Sequence, residues 1–257
     1  SVRNTVLWTA LIAAYADYGD GHDALKCLDK MQLEGFSPNY VTFICSLKAC
    51  GNVGAIEKAG EIHAEIERRS LLETDMLVGN TLVDVYAKCG FLAKASDVFD
   101  KLLVQGVISW TALMAGYAQI GENERVFYIF EKMLGEGIKP DPISFIVLLN
   151  ACSHAGLFEE SQSYFEAMSK SHGIVPTVEH HACIVNLLNR AGRLQKAVEM
   201  IDDMAFNPNR VVWQTMLSGC RYWGNIELGK EVFQSAVRLD KKDASAYVYM
   251  SHICAGG

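Results

Sequence analysis

The chain has 257 residues, half of them hydrophobic, and a formal net charge of −7. That composition excludes a disordered chain. No apolar run approaches the roughly 18–20 residues of a membrane-spanning helix, and the acidic balance weighs against a compact basic nucleic-acid binder while leaving room for a local basic track.

The opening SVRNTVLW has no signal or transit character and reads as the interior of a longer protein. From there the chain repeats itself. Gly19, Gly54, Gly90, Gly121, Gly156, Gly192 and Gly224 each follow a helix-like apolar run and precede another, 31 to 36 positions apart, the solenoid range for a helix pair. The predicted windows are Thr5–Asn39, Tyr40–Asp75, Met76–Gly106, Val107–Asp141, Pro142–Thr177, Val178–Asn209 and Arg210–Ala244, with Ser245–Gly257 beginning an eighth. In the fourth window, Trp110, Leu113, Met114 and Tyr117 form one apolar helical face; Gly121 ends that helix, and Val126, Phe127, Ile129, Phe130, Met133 and Leu134 form a second stripe that stops at Lys139-Pro140-Asp141. A pair this short cannot bury both faces alone and needs like neighbours.

A longer period overlies the short one. Trp8, Trp110 and Trp213 stand 102 and 103 positions apart, and Cys50 and Cys152 are 102 apart, so the unit is a triplet of unequal helix pairs. Small residues recur five positions after the glycines, at Ala24, Ala59, Ala95, Ser161, Ala197 and Gly229, where helices cross closely; Val126 departs from this pattern. Nine positions after the glycines stand Leu28, Phe99, Phe130, Phe165, Ile201 and Phe233, with His63 as the outlier, read as a packed histidine. No strand alternation or hairpin signal interrupts the pattern, so the chain is predicted to be all-α. The eight cysteines form no C-x-x-C and sit mostly in apolar stripes, as free thiols of a reducing compartment do.

These residues carry a resemblance. VLWTALIAAYADYGDGHDALKCLDKMQLEGFSPN and its copy at Val107–Asp141 resemble pentatricopeptide repeats, and the uneven 35/36/31 rhythm resembles the plant PLS subclass, in which standard, long and short repeats alternate. TFICSLKACGNVGAIEKAGEIHAEI and SFIVLLNACSHAGLFEESQSYFEAM resemble its long repeats; VGNTLVDVYAKCGFLAKASDVFD and EHHACIVNLLNRAGRLQKAVEMID resemble its short ones. Arg210–Ala244 is similar to the extension (E) motif that follows the last triplet, and AYVYMSHICAGG to the opening of the second extension motif. The resemblance implies an all-α right-handed superhelical solenoid of helix-turn-helix repeats, first helices inside. It also implies binding of single-stranded organellar RNA, one base per repeat, in a mitochondrion or chloroplast, with C-to-U editing as the process served. Catalysis would come from a following deaminase domain or a partner docked through 210–244, and no cofactor is implied.

Carried over by register, the second residue of a repeat slots between bases: Val6, Val41, Leu77, Ile108 and Ile143. The fifth residue, with the one that closes the repeat, reads the base edge: Thr9 with Asn39 favours adenine, Thr111 with Asp141 favours guanine, and Asn80 suggests a pyrimidine, with Gly106 closing its repeat without a side chain. Ile44, Ile146 and Ala182 at the fifth position offer no hydrogen bond, and Glu179 is a poor stacking surface. Lys48, Lys88 and Arg190 are the expected phosphate contacts.

Other chemistry is weaker. His180-His181-Ala182-Cys183 has no second cluster to complete a zinc site. His63-Ala64-Glu65 has the H-x-E half of a deaminase signature without its P-C-x-x-C partner. No phosphate loop, nucleophile elbow or tuned carboxylate pair is present in the sequence. The competing reading is a tetratricopeptide-type scaffold for protein partners, which the acidic balance favours and the uneven rhythm disfavours.

Overall fold

The structure, a computed structural model, describes residues 2–255, with side chains from Asn4 onward; Gly256 and Gly257 of the last expected window lie outside them. The described residues are helical, without strands. They form two compact units, residues 1–138 and 139–257.

The first unit runs α1 (Val2–Asp17), α2 (Gly21–Leu33), α3 (Tyr40–Val53), α4 (Ile56–Arg68), a one-turn α5 (Leu71–Thr74), α6 (Met76–Lys88), α7 (Leu92–Lys101), α8 (Val107–Gln119) and α9 (Asn123–Gly135). The first helices α1, α3, α6 and α8 pack each on the next, and each holds its own second helix antiparallel behind it. The second unit repeats the scheme with α10 (Pro142–Ala155), α11 (Phe158–Lys170), α12 (Val178–Arg190), α13 (Leu194–Asp202), α14 (Arg210–Tyr222), α15 (Ile226–Leu239) and α16 (Ala244–Ala255). There α10, α12, α14 and α16 form the row of first helices.

Local sequence explains the ends. Gly54 and Gly156 close α3 and α10 in the left-handed conformation (φ 69° and 73°), a backbone shape that costs a side-chain-bearing residue about 1–2 kcal/mol. After α2, α9 and α11 the turn out of the second helix is made by Gly35, Gly137 and Gly173, also with positive φ. After α4 that role falls to Ser70 (φ 53°), and α5 follows it. The sequence reading does not anticipate α5, because no glycine marks the turn.

The two stripes of each pair meet in the interior. Ile12, Leu28, Met31, Phe43, Leu47, Leu82, Trp110, Met114 and Phe130 are buried in the first unit, and Phe145, Leu149, Val185, Val212, Met216 and Leu217 in the second. Each contributes about 1.5–3 kcal/mol from apolar area removed from water. The small residues of the second helices, Ala24, Ala59, Ala95 and Ala197, are fully buried. Val126 is fully buried at the same register, so the larger side chain is accommodated rather than expelled. Cys50 and Cys152 occupy matching buried places in α3 and α10, where burial pushes both thiols up to about 12.

Candidate nucleic-acid interface

The residues that close the repeats are the N-caps of the next first helix. Asn39 has extended backbone (φ −102°, ψ −180°) before α3; its Oδ1 accepts from the Thr42 backbone N–H at 2.9 Å and from the Thr42 hydroxyl at 3.0 Å. Asp141 does the same before α10, its Oδ1 accepting from the Ser144 N–H and hydroxyl, both at 2.8 Å. A peptide N–H can only donate, so the oxygen of Asn39 is fixed on the cap and its NH2 group is the uncommitted end of an exposed side chain. The Asp141 cap spends one oxygen and leaves Oδ2 as an acceptor. Asp75 and Asn209 cap α6 and α14 through one oxygen each, and Gly106 caps α8 with backbone alone.

The fifth residues sit one turn into α6 and α8 at Asn80 and Thr111, and two turns into α1 at Thr9. Thr9, Asn80 and Thr111 are only 9%, 5% and 7% exposed. The sequence reading expects them to look into an open groove; they are buried instead, Thr9 in the seam where α1 meets α3. The Thr9 and Thr42 hydroxyls are 2.7 Å apart, so Thr9 is joined through Thr42 to Asn39, the residue that closes its own repeat. First helices also approach closely farther along the row: a Cβ added at Gly116 of α8 would stand 2.8 Å from the Ala87 Cβ of α6. The Oδ1 of Asn80 is buried without a hydrogen-bond partner. Ile44 is buried, and Ile146 and Ala182 are half-buried.

The second residues are the opposite case. Val6, Val41, Leu77, Ile108 and Ile143 are all exposed, between 37% and 59%, the last four on the first turn of their helices and Val6 one turn into α1. Apolar side chains left in water at one register of successive helices need a reason outside the folded core. Glu179 holds this register in α12 and accepts from the Thr177 hydroxyl at 2.6 Å.

The three basic residues meet different surroundings. Lys48 and Lys88 line one cleft of about 300 Å³ on the first unit, together with Asp17 and Asp84. Lys88 is paired with Asp84 at 2.7 Å, which reduces what it offers an incoming anion; Lys48 is exposed and has no ion pair among the described residues. Arg190, in the second unit, stands 3.3 Å from His154 Nδ1.

The histidines act as packing and capping groups. His180 is fully buried; its Nδ1 accepts from the Thr177 N–H at 3.1 Å, which leaves Nε2 to donate to the Pro142 carbonyl at 2.9 Å. Both ring nitrogens are committed, so a metal would have to break a cap. His63 of α4 is held by the Tyr86 hydroxyl at 3.1 Å. The sequence reading misses the third residue of the windows that open at 40, 142 and 178: N-x-x-T at 39–42, D-x-x-S at 141–144 and T-x-x-H at 177–180 are capping-box signatures that locate it.

Burial holds the His180 pKa below the usual imidazole value, against the pull of the Pro142 carbonyl and Glu179. Its folded pKa is thus below its unfolded value near 6.5, so its neutral form stabilises the fold above that pH, and this contribution is lost as pH falls below about 6.5. Wild type should lose more melting temperature between pH 7 and pH 5 than His180→Gln does. Equal losses would remove His180 from the account.

Comparison with known proteins fits this repeating frame. The pattern described as the PPR repeat family matches residues 3–52 and 105–154, and the PPR repeat pattern matches 80–107 and 143–172, together more than half of the chain. The chain is 41% identical over 256 residues to the chloroplastic pentatricopeptide repeat-containing protein CRR2 of Arabidopsis thaliana, covering 99% of this chain and 39% of that protein. A second pentatricopeptide repeat-containing protein of that plant is 36% identical over 253 residues, 98% of this chain and 34% of its own length. The chain thus spans little more than a third of these relatives. Its fold is similar to that of PPR10 crystallised with an 18-nt psaJ RNA element (TM-score 0.76, 18% identity, 96% of this chain and 37% of that one) and to PPR10 from maize (TM-score 0.60, 20% identity, 97% and 39%). The helix pairs, their glycine ends and the sequence matches agree: the chain belongs to the pentatricopeptide repeat family.

Proposed function

We propose that the chain binds single-stranded RNA, reading bases through residues that double as helix caps. The observation that carries this is the divided use of Asn39 and Asp141. Each gives one oxygen to a cap; Asn39 then presents amide donors and Asp141 a carboxylate acceptor. Adenine offers an acceptor at N1 of its pairing edge, which suits Asn39. Guanine offers donors at N1 and N2, which suit Asp141. Thr9 and Thr111 complete the two readers. Asn80 supports the same reading: its unpaired buried Oδ1 costs about 1–3 kcal/mol unless a ligand donor meets it. The exposed Val6, Val41, Leu77, Ile108 and Ile143 serve as wedges between bases, and Lys48, Lys88 and Arg190 as phosphate contacts, with Asp84 tempering Lys88. Solved PPR10 carries RNA on the same fold.

The order 5′ to 3′ is adenine, any base, pyrimidine, guanine. The windows 5–39, 40–75, 76–106, 107–141, 142–177 and 178–209 are standard, long and short repeats of the PLS type, and 210–244 is an extension motif. The extension motif makes C-to-U editing in an organelle the process served, chloroplast or mitochondrion, with the deaminase in a following domain or a docked partner. The chain itself is non-catalytic in this reading.

Binding of short RNAs that differ only at the base facing the first repeat tests the proposal. Adenine should be held about tenfold tighter than guanine there. Equal affinity for all four bases would leave the scaffold reading, in which the same groove takes a protein segment.

A further inference from the structure

Between α12 and α14 lies a cavity of about 480 Å³ that none of the reading positions line. Its floor and walls are polar, with Asn186, Asn189, Thr215 and Ser218, and its rim carries Arg190 and Tyr222. Asn189 is nearly buried; its amide donates to the Thr215 carbonyl at 2.8 Å, while its Oδ1 has no hydrogen-bond partner. Gly219 makes the room, since a Cβ there would stand 2.7 Å from Asn189 Cγ.

The rim is built as well. Trp223 donates from Nε1 to the Asn189 carbonyl at 2.6 Å, which anchors it on the C-terminal end of α12, and its ring lies against Gly192. Tyr222 stands edge-to-face on Trp223, with ring centroids 5.2 Å apart and an angle of 82° between planes. Tyr222 is nonetheless 79% exposed, so an anchored neighbour orients a ring whose surface faces water. An aromatic ring beside an arginine, above a pocket of amide and hydroxyl groups, is the set of groups that receives one unstacked nucleotide.

We propose that this cavity is a further nucleotide subsite, in which one base of the bound strand stacks on Tyr222, turns its edge to the polar floor, and leaves its phosphate beside Arg190. The inference rests on the RNA reading above and adds to it. The subsite lies between the first helices of the 178–209 and 210–244 windows, with Tyr222 at the C-terminal end of α14, and none of the second or fifth residues line it. It therefore extends the strand's path in the 3′ direction and leaves α15 available to a protein partner.

The test uses the full chain and two RNAs, one ending at the nucleotide of the 178–209 window and one longer by two nucleotides at its 3′ end. The longer RNA should bind about tenfold tighter. Tyr222→Ala should abolish that gain and leave the shorter RNA's affinity unchanged, while Tyr222→Trp keeps it. A 2-aminopurine in the added segment should be quenched by wild type and not by Tyr222→Ala. Binding of the short RNA with no gain for the longer one, or a gain and quenching that survive Tyr222→Ala, would overturn the subsite alone. Failure of both RNAs to bind would overturn the RNA reading and the subsite with it.

Discussion

Replacing Trp110 by alanine should destabilise the first unit by about 3–5 kcal/mol, the largest stability effect expected of a single substitution here. Trp110 is 1% exposed and is among the largest fully buried side chains of the described residues. Its ring meets Phe99 edge-on, with centroids 4.6 Å apart and planes at 75°, and Lys132 reaches over it at 5.8 Å. Alanine removes the ring from between α7, α8 and α9 and leaves a void there. The indole Nε1, however, is buried with no partner. Trp110→Phe should therefore be far milder, within about 1.5 kcal/mol, because the lost area is offset by removal of an orphaned donor. Denaturant unfolding of both variants gives the comparison. A Trp110→Ala cost below about 1 kcal/mol would mean that α8 is not packed as described.

Exchanging Asn39 for aspartate should invert the base preference of the first repeat. Aspartate caps a helix as well as asparagine does, and its oxygen can take the Thr42 N–H and hydroxyl bonds, so the fold should be unaffected. What changes is the outward group: an amide donor becomes a carboxylate acceptor. The first repeat then presents the same pair as Thr111 and Asp141, threonine with aspartate. A hydrogen bond to a charged group contributes about 1.5–3 kcal/mol, so the guanine-to-adenine affinity ratio should rise by about ten- to a hundredfold. The ratio is the quantity to read, because the added negative charge weakens binding of every RNA by phosphate repulsion. Asn39→Ala is the poorer probe: it also removes a cap worth about 1 kcal/mol and mixes stability with recognition. An unchanged ratio in Asn39→Asp, with the melting temperature intact, would show that Asn39 is a cap and nothing more.

Much of the architecture was legible in the sequence because helix ends are local chemistry. Gly54 and Gly156 announce their turns, and Asn39, Asp75, Asp141, Thr177 and Asn209 stand where the next first helix begins. The apolar residues Leu113, Met114, Ile129 and Phe130 repeat at helical spacing, and the structure buries them. Ser70 shows where local reading stops. It does in α4's exit turn what glycine does in three other repeats, and nothing in its residue type says so. The candidate interface was less legible. The family resemblance, carried over by register, picks out Thr9, Asn80 and Thr111 as a set, but not that they lie at 5–9% exposure, since that depth depends on how neighbouring helices pack. The pairing of Lys88 with Asp84 was readable as an i, i+4 pair and was not weighed; it changes what Lys88 offers an anion.

The sequence by itself determined that the chain is helical, where each helix pair starts and turns, and which residues recur in register. Those features follow from backbone preferences and the 3.6-residue period, which act over a few residues. Only the tertiary structure decided which atoms of the recurring residues remain available. The Thr42 N–H, which can only donate, takes the Asn39 oxygen for the cap and leaves its amide free, but it is the packing of Thr42 on Thr9 across two helices that joins this cap to the fifth residue of the repeat. The cavity between α12 and α14 is likewise invisible in the chain order, because Asn189, Gly219 and Tyr222 become neighbours only when two helices from different repeats are laid side by side.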